Sequence, residues 1–358
     1  MPDRHMSLAA LGWDDWFEEQ LGLQATPCDT VARVAAVDRD QLLLLNEGGP
    51  FRGKLSGSYM YRNHRSLDLP CVGDWVCVDR HREQEMGLVQ ALLERRTILR
   101  RRAAGEAVGY QMIAANVDRV IIVQSCHYDF NVKRMERYLV MAVDGGAEPC
   151  ILLTKTDLVP PDHLASQLAE IRGAGITAPV LTLSNVTREG VSDLQRMLVP
   201  GKTYCFVGSS GVGKSTIING LIGRAALGTS GVSATGEGRH TTTRRELIAL
   251  ENGALVIDNP GMREFGILGA ESGLEGGFPD IAELSRHCRY RDCRHGNEPG
   301  CAVLRALETG DMDRKHYENY MKLRAESDFH EMTYVEKRNK DREFGKFIKS
   351  VKKNMPRD

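Results

Sequence analysis

The sequence has no long hydrophobic run and no secretion signal. Apolar stretches such as VIIVQ and YLVMAV are far shorter than the roughly 18 residues that a bilayer-spanning helix needs. The N-terminus carries Asp3, Asp14 and Asp15, where a signal peptide would have a basic and then an apolar segment. We therefore expect a cytoplasmic protein that does not engage a membrane.

The sequence also lacks net charge and an overall cysteine pattern. Its 47 basic and 48 acidic residues give a formal net charge of −1, so any surface for a polyanion must be local. The 358 residues, 42% of them hydrophobic, suffice for two or three domains. Six of the nine cysteines are scattered, and we expect reduced core thiols at these positions. They are Cys28, Cys71, Cys77, Cys126, Cys150 and Cys205.

A phosphate-binding loop is the strongest motif. The pattern G-x-x-x-x-G-K-[ST] lies between a strand-like KTYCFV and a helix-like KSTIINGLI. Its glycines let backbone N–H groups face a β-phosphate, Lys214 adds a charge for the β- and γ-phosphates, and the Ser215 hydroxyl is placed to ligate Mg²⁺. The alternative is a glycine-rich structural turn. The predicted nucleotide contacts here are Gly208, Ser209, Ser210, Gly211, Val212, Gly213, Lys214, Ser215 and Thr216.

A β-hairpin with a metal-binding carboxylate follows. The stretch RRELIALENGALVIDNPG predicts two strands joined at Asn252-Gly253, and the second strand ends in Asp258. We expect Asp258 to hold Mg²⁺ through its water shell and the Gly261 N–H to meet a γ-phosphate.

The polar segment before this hairpin, SGVSATGEGRHTTTRREL, is predicted to be a mobile switch. One of Thr241, Thr242 or Thr243 would close over the γ-phosphate, and we choose Thr242 as the Mg²⁺ ligand. An ordinary solvated loop is the alternative.

The stretch CILLTKTDLV predicts that the base is guanine. Its T-K-T-D resembles [NT]-K-x-D, whose carboxylate accepts hydrogen bonds from the ring N–H and the exocyclic amine of guanine. Adenine has no such pair of donors. The predicted base contacts are Thr154, Lys155, Thr156 and Asp157, with the Lys155 stem against the base plane. In VLTLSNV, Ser184 matches the place where GTPases hold the backbone N–H that reads the guanine oxygen. An unremarkable loop is the alternative.

The base-reading loops precede the phosphate loop, which reverses the usual GTPase order. We therefore predict a circularly permuted, doubly wound α/β GTPase domain. Its elements are strand 119–124, helix 133–143, strand 150–154, helix 162–172, strand 180–184, helix 190–198 and then the phosphate-loop strand. The segment after D-N-P-G runs directly into the C-terminal region, so γ-phosphate sensing is expected to connect to that region.

The remaining three cysteines cluster with a histidine. Cys288, Cys293, His295 and Cys301 have the spacing C-x4-C-x-H-x5-C, which predicts a closed, structural zinc site. Free reduced thiols are the alternative, and His287 could replace Cys288 as a ligand. A mainly helical tail follows, with nine Lys/Arg against three Asp/Glu over residues 337–358. The basic charge of this tail is suited to binding RNA, and the alternative is a solvated helix face.

The N-terminal part alternates short apolar runs with Gly and Pro, which predicts an OB-type β-barrel. Five arginines at its end are expected to bind phosphate, unless they form a merely soluble linker. They are Arg95, Arg96, Arg100, Arg101 and Arg102. The predicted division is an N-terminal extension (1–29), the RNA-binding barrel (30–103), the GTPase domain (104–273) and the zinc-binding helical domain (274–358).

Together these features resemble the small-ribosomal-subunit biogenesis GTPases of bacteria, the circularly permuted RsgA (YjeQ) family. The resemblance covers nearly the whole chain, including GYQMIAANVD, GSSGVGKSTIIN, GRHTTT, DNPGMREFG and CRYRDCRHGNEPGCAV. It implies 30S binding late in maturation, 16S rRNA contacts through the barrel and the zinc domain, and subunit-stimulated hydrolysis of GTP to GDP and phosphate that permits release. It also implies one structural zinc ion. We expect a monomer.

Three positions depart from the family pattern. Asn259 stands where the family often has Thr, Thr154 where it often has Asn, and Asn185 where it often has Ala. We expect Thr154 to weaken the contact between the base-reading and phosphate loops, while Asp157 preserves the choice of guanine.

Met262 occupies the place after D-x-x-G where signalling GTPases have a water-orienting Gln. We therefore expect slow intrinsic turnover, with His240 as the candidate catalytic residue that positions water once the ribosome orders the switch. The alternative is that His240 only packs or contacts RNA. Two other functions stay open: an RNA-binding assembly factor for which GTP is mainly an ordering ligand, and a P-loop ATPase or kinase.

Overall fold

A computed structural model describes residues 6–24, 28–39, 41–80, 86–102, 110–222, 245–259 and 271–331. Within these ranges the chain forms a β-barrel, an α/β domain where the GTPase domain is predicted, and a helical C-terminal domain. None of the helices in this part of the chain is both long and apolar enough to cross a membrane.

The N-terminal segment packs against the barrel through aromatic rings. A 3-10 turn at Ala9–Leu11 precedes helix α1, Asp15–Gly22. The ring centroids of Trp13 and Phe17 lie 4.8 and 5.9 Å from that of Trp75, which is fully buried. Such rings bury large apolar areas, so this segment forms part of the core.

The predicted OB-like barrel is confirmed. Its strands pair in the order β1-β2-β3-β5-β4, and β4 returns to β1 to close the barrel. Helix α2, Gly57–Arg62, follows β3 and is capped by the Ser56 hydroxyl, which accepts from the Tyr59 N–H. The strands are β1 Thr30–Val37, β2 Leu42–Asn46, β3 Gly49–Leu55, β4 Trp75–Asp79 and β5 Met86–Leu92.

The expectation of reduced thiols is wrong for two cysteines. Cys28 and Cys77 form a disulfide, with Cα atoms 5.1 Å apart. The reason is the closure of the barrel, because β1 begins two residues after Cys28 and pairs Val31 with Cys77. Cys71, Cys126, Cys150 and Cys205 are buried free thiols, as expected.

The arginine run after the barrel is used internally. Arg95 is wrongly predicted to bind phosphate, because its guanidinium forms a bidentate pair with Asp74 at 2.8 and 2.7 Å and its side chain is only 7% exposed. Arg96 pairs with Asp14, Arg100 with Asp144, and Arg101 donates to Gln111. These arginines hold the segments around the barrel together.

The last three arginines belong to strand β6, Ile98–Arg102, which pairs antiparallel with β7, Tyr110–Ala115. The boundary drawn at residue 103 therefore falls between two strands that pair with each other.

The predicted GTPase domain is confirmed as an α/β sheet in the order β10-β9-β8-β11-β13-β12. All neighbours are parallel except β12, which forms the predicted hairpin with β13. Every predicted element is present within two residues of its expected bounds. They are β8 Arg119–Ser125, α3 Val132–Asp144, β9 Glu148–Thr154, α4 Pro161–Gly173, β10 Val180–Leu183, α5 Val191–Met197, β11 Thr203–Val207, α6 Lys214–Ile222, β12 Glu246–Ala249 and β13 Leu255–Asp258.

The sheet has an apolar core on each face. Along β8, Val120 and Ile122 join one core, whereas Ile121 and Val123 join the other. Burial on both faces explains why these strands read as continuous apolar runs. The loops that follow the parallel strands all lie at one edge, which we call the carboxyl edge, and this is where ligands bind in such sheets.

The barrel joins the GTPase sheet at two places. Strand β1 pairs with the edge strand β12 at Ala36 and Glu246, and Glu246 is in register with Asp258 at the end of β13. The second join lies at the edge where the parallel strands begin, which we call the amino edge, and it is made by Arg33. The Arg33 guanidinium, 1% exposed, donates to the carbonyls of Leu11, Gly73 and Asn116 and to the Thr203 hydroxyl. One buried side chain thus ties the N-terminal segment and the barrel to the start of the phosphate-loop strand.

The C-terminal helices pack on α3. Helix α7 approaches it closely: a Cβ built at Gly273 would lie 2.5 Å from the Val140 carbonyl oxygen, and one at Gly277 2.7 Å from a Val140 methyl. The boundary drawn at residue 273 lies inside α7. The helices are α7 Glu271–Gly277, α8 Pro279–Ser285, α9 Ala302–Thr309 and α10 Arg314–Glu331.

A buried charge cluster holds α10 to this interface. His316 contacts Glu136 of α3 at 2.6 Å and Asp280 of α8 at 3.1 Å. Burial lowers the pKa of His316, but its hydrogen bonds to Asp280 and Glu136 outweigh that effect and raise the pKa to about 9. Arg137 of α3 adds a bidentate pair with Glu326 at 2.7 and 2.8 Å. The cluster links the C-terminal domain directly to the GTPase domain.

Candidate functional site

The phosphate loop connects β11 to α6 and depends on glycine. Gly208, Gly211 and Gly213 have φ angles of 146°, 83° and 103°, which side-chain-bearing residues rarely adopt. A Cβ at Gly208 would also lie 2.3 Å from the Val123 carbonyl oxygen. The glycines therefore permit both the backbone turn and its close approach to β8. This is the expected shape of a phosphate-binding loop, in which N–H groups converge before a helix N-terminus.

Lys214 is held within this loop. Its Nζ donates to the carbonyls of Gly208 and Ser209 at 2.8 and 2.7 Å. Burial lowers the pKa of Lys214, while the charges of Asp258 and Asp129 act in the opposite direction. Ser210, Ser215 and Thr216 are exposed, whereas Val212 is buried beneath the loop. The loop thus presents hydroxyls to solvent beside one buried cation.

Arg134 of α3 supports the phosphate loop, a role that was not predicted from the sequence. Its Nη1 donates to the Ser209 hydroxyl at 2.6 Å and pairs with Asp129. No short motif contains these residues, because the contact joins positions 75 apart in the chain. The acidic residue and the arginine flank the asparagine cap of α3, Asn131, whose side chain accepts from the Arg134 N–H.

The predicted guanine-reading residues lie at the same edge. Asp157 is exposed, and its Oδ1 accepts a 2.5 Å hydrogen bond from the Ser184 hydroxyl. Lys155 has a left-handed backbone, with φ of 59°, at the sharp turn after β9. The Ser184 hydroxyl also accepts from the amides of Val186 and Thr187. Asp157 is therefore oriented by a hydroxyl that the next loop holds in place.

The expected role of Ser184 requires correction. Its backbone N–H donates to the Glu189 carbonyl at 3.0 Å, and the residue is fully buried. That N–H therefore does not face a guanine. Ser184 instead orients Asp157 through its side chain, and Asn185 is the next residue of the turn. The side-chain amide nitrogen of Asn185, Nδ2, lies 3.3 Å from a Cβ built at Gly213, so Asn185 is beside the phosphate loop.

Thr154 does connect the base-reading and phosphate loops, and the expectation that its contact is weaker than that of Asn stays a prediction. Its hydroxyl lies 2.7 Å from the Val212 carbonyl oxygen and 3.2 Å from that of Gln124. Thr154 is fully buried, so this hydrogen bond is shielded from water. A short hydroxyl suffices here because β9 and the phosphate loop are in direct contact.

Asp258 ends β13 beside the phosphate-loop strand, in register with Phe206. It is 7% exposed. The next residue, Asn259, accepts a 3.0 Å hydrogen bond from Arg245, which also donates to the Met112 carbonyl. Asn259 therefore ties the end of β13 to β7. It stands at a position where the family often has Thr.

The predicted switch residues lie outside the described ranges. They are His240, Thr241, Thr242, Thr243, Gly261 and Met262.

The predicted metal ligands are brought together. The ligand atoms of Cys288, Cys293, His295 and Cys301 all lie within 4.8 Å of one another. A tetrahedral zinc site with Zn–S bonds of about 2.3 Å has S–S edges of about 3.8 Å and S–N edges of about 3.5 Å. The Cys288–Cys301 sulfur distance is 3.8 Å, and the His295 Nδ1 lies 3.6 and 3.4 Å from these two sulfurs. These four residues can therefore hold a metal ion.

Outer contacts orient the cluster. The other ring nitrogen of His295, Nε2, lies 2.9 Å from the Ser285 hydroxyl. The Ala302 N–H donates to the Cys288 sulfur at 3.4 Å, which favours a thiolate. His287 is mostly exposed, lies 3.7 Å from Glu283, and is not in the four-residue cluster, so it does not replace Cys288.

Comparisons with known proteins agree with this geometry. A sequence model of the RsgA GTPase family matches residues 92–268. The small ribosomal subunit biogenesis GTPase RsgA of Opitutus terrae is 42% identical over 332 residues, which are 90% of each chain. RsgA 1 of Listeria innocua is 41% identical over 326 residues, 91% of this chain and 90% of that protein.

Two solved structures are also similar. YjeQ from Thermotoga maritima has a TM-score of 0.62 at 25% identity, over 82% of this chain and 96% of that one. YloQ, described as a circularly permuted GTPase, has a TM-score of 0.61 at 25% identity, over 85% of this chain and 96% of that one.

Proposed function

Because this chain belongs to the RsgA family of GTPases, we propose that it acts in late maturation of the 30S ribosomal subunit. It binds the subunit in its GTP state and hydrolyses GTP to GDP and phosphate, which permits release. The observation that carries this proposal is the pair of bonds, Ser184 to Asp157 and Thr154 to Val212, that hold a guanine-reading carboxylate beside a phosphate loop. The similar proteins are named as GTPases of small-subunit biogenesis.

The nucleotide would lie across the carboxyl edge. The loop amides from Gly208 to Thr216 receive the phosphates, and Lys214 supplies positive charge from beneath them. Asp157 accepts from the guanine ring N–H and amine, while the Lys155 stem lies against the base. The N–H of Asn185, rather than that of Ser184, reads the guanine oxygen. Thr154 and Thr156 complete the base loop, with Thr154 acting through its bond to Val212.

Magnesium would accompany GTP, as the GTPase fold implies. The Ser215 and Thr242 hydroxyls are its proposed direct ligands, and Asp258 holds its water shell. When bound, the ion neutralises charge on the β- and γ-phosphates. Gly261 contacts the γ-phosphate, and His240 orients the attacking water, because Met262 has no group that can do so.

The cysteine-histidine cluster would bind one structural zinc ion. Three thiolates and one imidazole are typical of closed zinc sites, and the distances fit a tetrahedron. The Ser285 contact to His295 supplies the second-sphere hydrogen bond that such histidines make. Native mass spectrometry should show one zinc per chain, and a Cys301→Ser variant should lose it. Stoichiometric binding of another metal from cell extract would refute the assignment.

The C-terminal domain would respond to the γ-phosphate through two routes. Residues 260–270 lead from the end of β13 into α7, which packs on α3. Helix α3 also carries Arg134, which contacts the phosphate loop, and Arg137, which contacts α10. A change at the phosphate loop can therefore reach the zinc-binding domain by both the chain and α3.

Contact with 16S rRNA would use the segment around α2 rather than Arg95. Tyr61 is 82% exposed, and Arg62, His64 and Arg65 beside it are also exposed. An aromatic ring interleaved with cationic groups suits RNA phosphates and unstacked bases. We propose a monomeric, cytoplasmic factor that makes this contact together with the zinc-binding domain.

The subunit-binding step can be tested by sedimentation. Purified 30S subunits should pellet the protein with a non-hydrolysable GTP analogue and retain much less of it with GDP. An Arg62→Ala, Arg65→Ala variant should bind the subunit more weakly and with a smaller salt dependence. Equal pelleting with both nucleotides would contradict nucleotide-controlled release.

The rival function is an RNA-binding factor for which GTP is mainly an ordering ligand. Met262, in place of a water-orienting residue, is the observation that favours it. Such a factor would bind subunits in the GTP state but show no faster phosphate release on them.

A further inference from the structure

Tyr128 connects the phosphate loop to the base-reading loop. It lies in the turn between β8 and α3, and none of the GTPase sequence motifs includes it. Its hydroxyl donates to the Gly211 carbonyl at 2.6 Å and accepts from the Lys155 Nζ at 2.9 Å. The same Nζ lies 4.5 Å from the centroid of the tyrosine ring. One side chain therefore bridges two loops that a nucleotide must contact together.

The backbone at both ends of this bridge has an uncommon conformation. Gly211 has φ of 83° and Lys155 has φ of 59°. A Cβ built at Gly211 would lie 3.1 Å from the Tyr128 hydroxyl oxygen, which shows how closely the side chain approaches. The hydroxyl has one proton to donate, and it donates to Gly211 while it accepts from Lys155.

The bridge runs parallel to the buried bond from Thr154 to Val212. Thr154 and Lys155 are consecutive residues of the base-reading loop, and Gly211 and Val212 are consecutive residues of the phosphate loop. Thr154 is hydrogen-bonded directly to Val212 in the buried connection, and Lys155 is connected to Gly211 through the Tyr128 hydroxyl in the exposed one. Two parallel connections restrict rotation of one loop against the other, which a single hydrogen bond would permit.

Tyr128 contributes little to the core. The residue is 58% exposed, and it belongs to none of the buried clusters of the described residues. An exposed tyrosine whose polar end is fixed between two ligand-binding loops is placed to act on the ligand rather than on folding.

We propose that Tyr128 is a nucleotide-positioning residue, which fixes Lys155 and the phosphate loop at the separation that guanosine phosphates require. The inference rests on the proposed nucleotide site. A bridge that holds the two loops together reduces the ordering that nucleotide binding requires. Its hydrogen bonds go to the Gly211 carbonyl and the Lys155 amine, so it acts on affinity rather than on the chemical step.

The test compares Tyr128→Phe with the wild-type protein and with Tyr290→Phe, an exposed tyrosine in the zinc-binding segment. Tyr128→Phe keeps the ring and removes only the hydroxyl. We expect GDP to dissociate about tenfold faster, and KM for GTP to rise by a similar factor while kcat changes less than twofold. The thermal midpoint should stay unchanged, and Tyr290→Phe should match the wild type in every measurement.

A double-mutant cycle identifies the bridge as the cause. In a Lys155→Met background, Tyr128→Phe should have little further effect on GDP dissociation, because the bridge is already broken. Equal effects in both backgrounds would overturn the proposal. So would unchanged or slower dissociation from Tyr128→Phe, since slower dissociation would mean that Tyr128 obstructs the site.

Failure of the proposed function gives a different result. If the wild-type protein bound ATP as tightly as GTP, the guanine site itself would be refuted. Guanine specificity in the wild type together with an unaltered Tyr128→Phe variant would refute only the role of Tyr128.

Discussion

The amino and carboxyl edges of the GTPase sheet carry similar polar residues with different partners. At the amino edge, Arg33 is 1% exposed and satisfies four oxygens, while Asp118 accepts from the Thr203 N–H at 2.8 Å. At the carboxyl edge, Asp157 and Ser215 are exposed. Buried polar groups must satisfy one another, whereas exposed groups on rigid loops remain able to bind a ligand.

The same distinction applies to the arginine run after the barrel. Arg95 has the charge of a phosphate ligand, but its bidentate pair with the buried Asp74 commits it to the fold. A cluster of positive charge in a sequence therefore does not distinguish an RNA surface from internal ion pairs.

The comparison predicts that Arg33→Met has a large effect on stability and none on nucleotide binding. The variant removes a donor from four buried acceptors, of which the Gly73 carbonyl keeps a second donor in the Asn116 side chain, so we expect the free energy of unfolding to fall by about 3–5 kcal/mol. Arg52→Met is the control, because the Arg52–Asp38 pair is partly exposed and should contribute less than about 1 kcal/mol. Urea denaturation and GDP titration measure the two quantities. A weaker affinity for GDP at unchanged stability would contradict the assignment of Arg33 to the fold.

The His316 cluster predicts a pH-dependent stability. Its folded pKa, about 9, is above the ordinary value of 6.5, so its contribution is complete below pH 6.5 and is lost as pH rises through 9. A shift of this size corresponds to about 3 kcal/mol. Denaturation between pH 6.5 and 9.5 should show this decrease, and His316→Gln should show a much smaller slope. A wild-type slope equal to that of the variant would contradict the cluster's role.

At the carboxyl edge, Asp157→Asn should impair binding without affecting folding. The variant loses two charge-assisted hydrogen bonds to guanine, so GTP affinity should fall at least about 100-fold, or 2.7 kcal/mol. Affinity for xanthosine triphosphate should rise, because that base has a carbonyl where guanine has its amine. Asp162→Asn, an exposed change at the start of α4, is the control. Retained GTP affinity would show that Asp157 does not read the base.

A smaller effect is expected for Thr154→Val. The valine keeps the shape but removes the bond to Val212, so GDP affinity should fall about fivefold, or about 1 kcal/mol. Thr154→Asn should retain most of the affinity because its amide can donate, and the exposed Thr177→Val is the control. If Thr154→Val bound GDP as the wild type does, the buried connection between the loops would be dispensable.

The carboxyl edge was largely predictable because the residues of each of its loops are close together in the sequence. The phosphate loop and the base loop each occupy a few consecutive residues, and each follows an apolar strand. Two contacts that orient these loops were not predictable, because they join distant positions: Arg134 to Ser209 and Ser184 to Asp157. The contact through Thr154 was expected from the resemblance, and the structure shows its partner, Val212.

The barrel and the amino edge were the least predictable regions. Arg95 was expected to bind phosphate and Arg33 belongs to no motif, since burial depends on partners far along the chain. The same holds for Cys28 and Cys77, which are 49 residues apart and meet only when the barrel closes. The metal cluster, in contrast, was predictable because its four ligands lie within 14 consecutive residues.

Steady-state phosphate release with and without purified 30S subunits measures whether the subunit activates GTP hydrolysis, with ATP as the control nucleotide. We predict slow release from GTP alone, a rise of at least tenfold when subunits are added, and no rise with ATP. GTP-dependent binding to subunits with no faster release of phosphate would contradict subunit-activated hydrolysis, because the nucleotide would then act only as a binding switch.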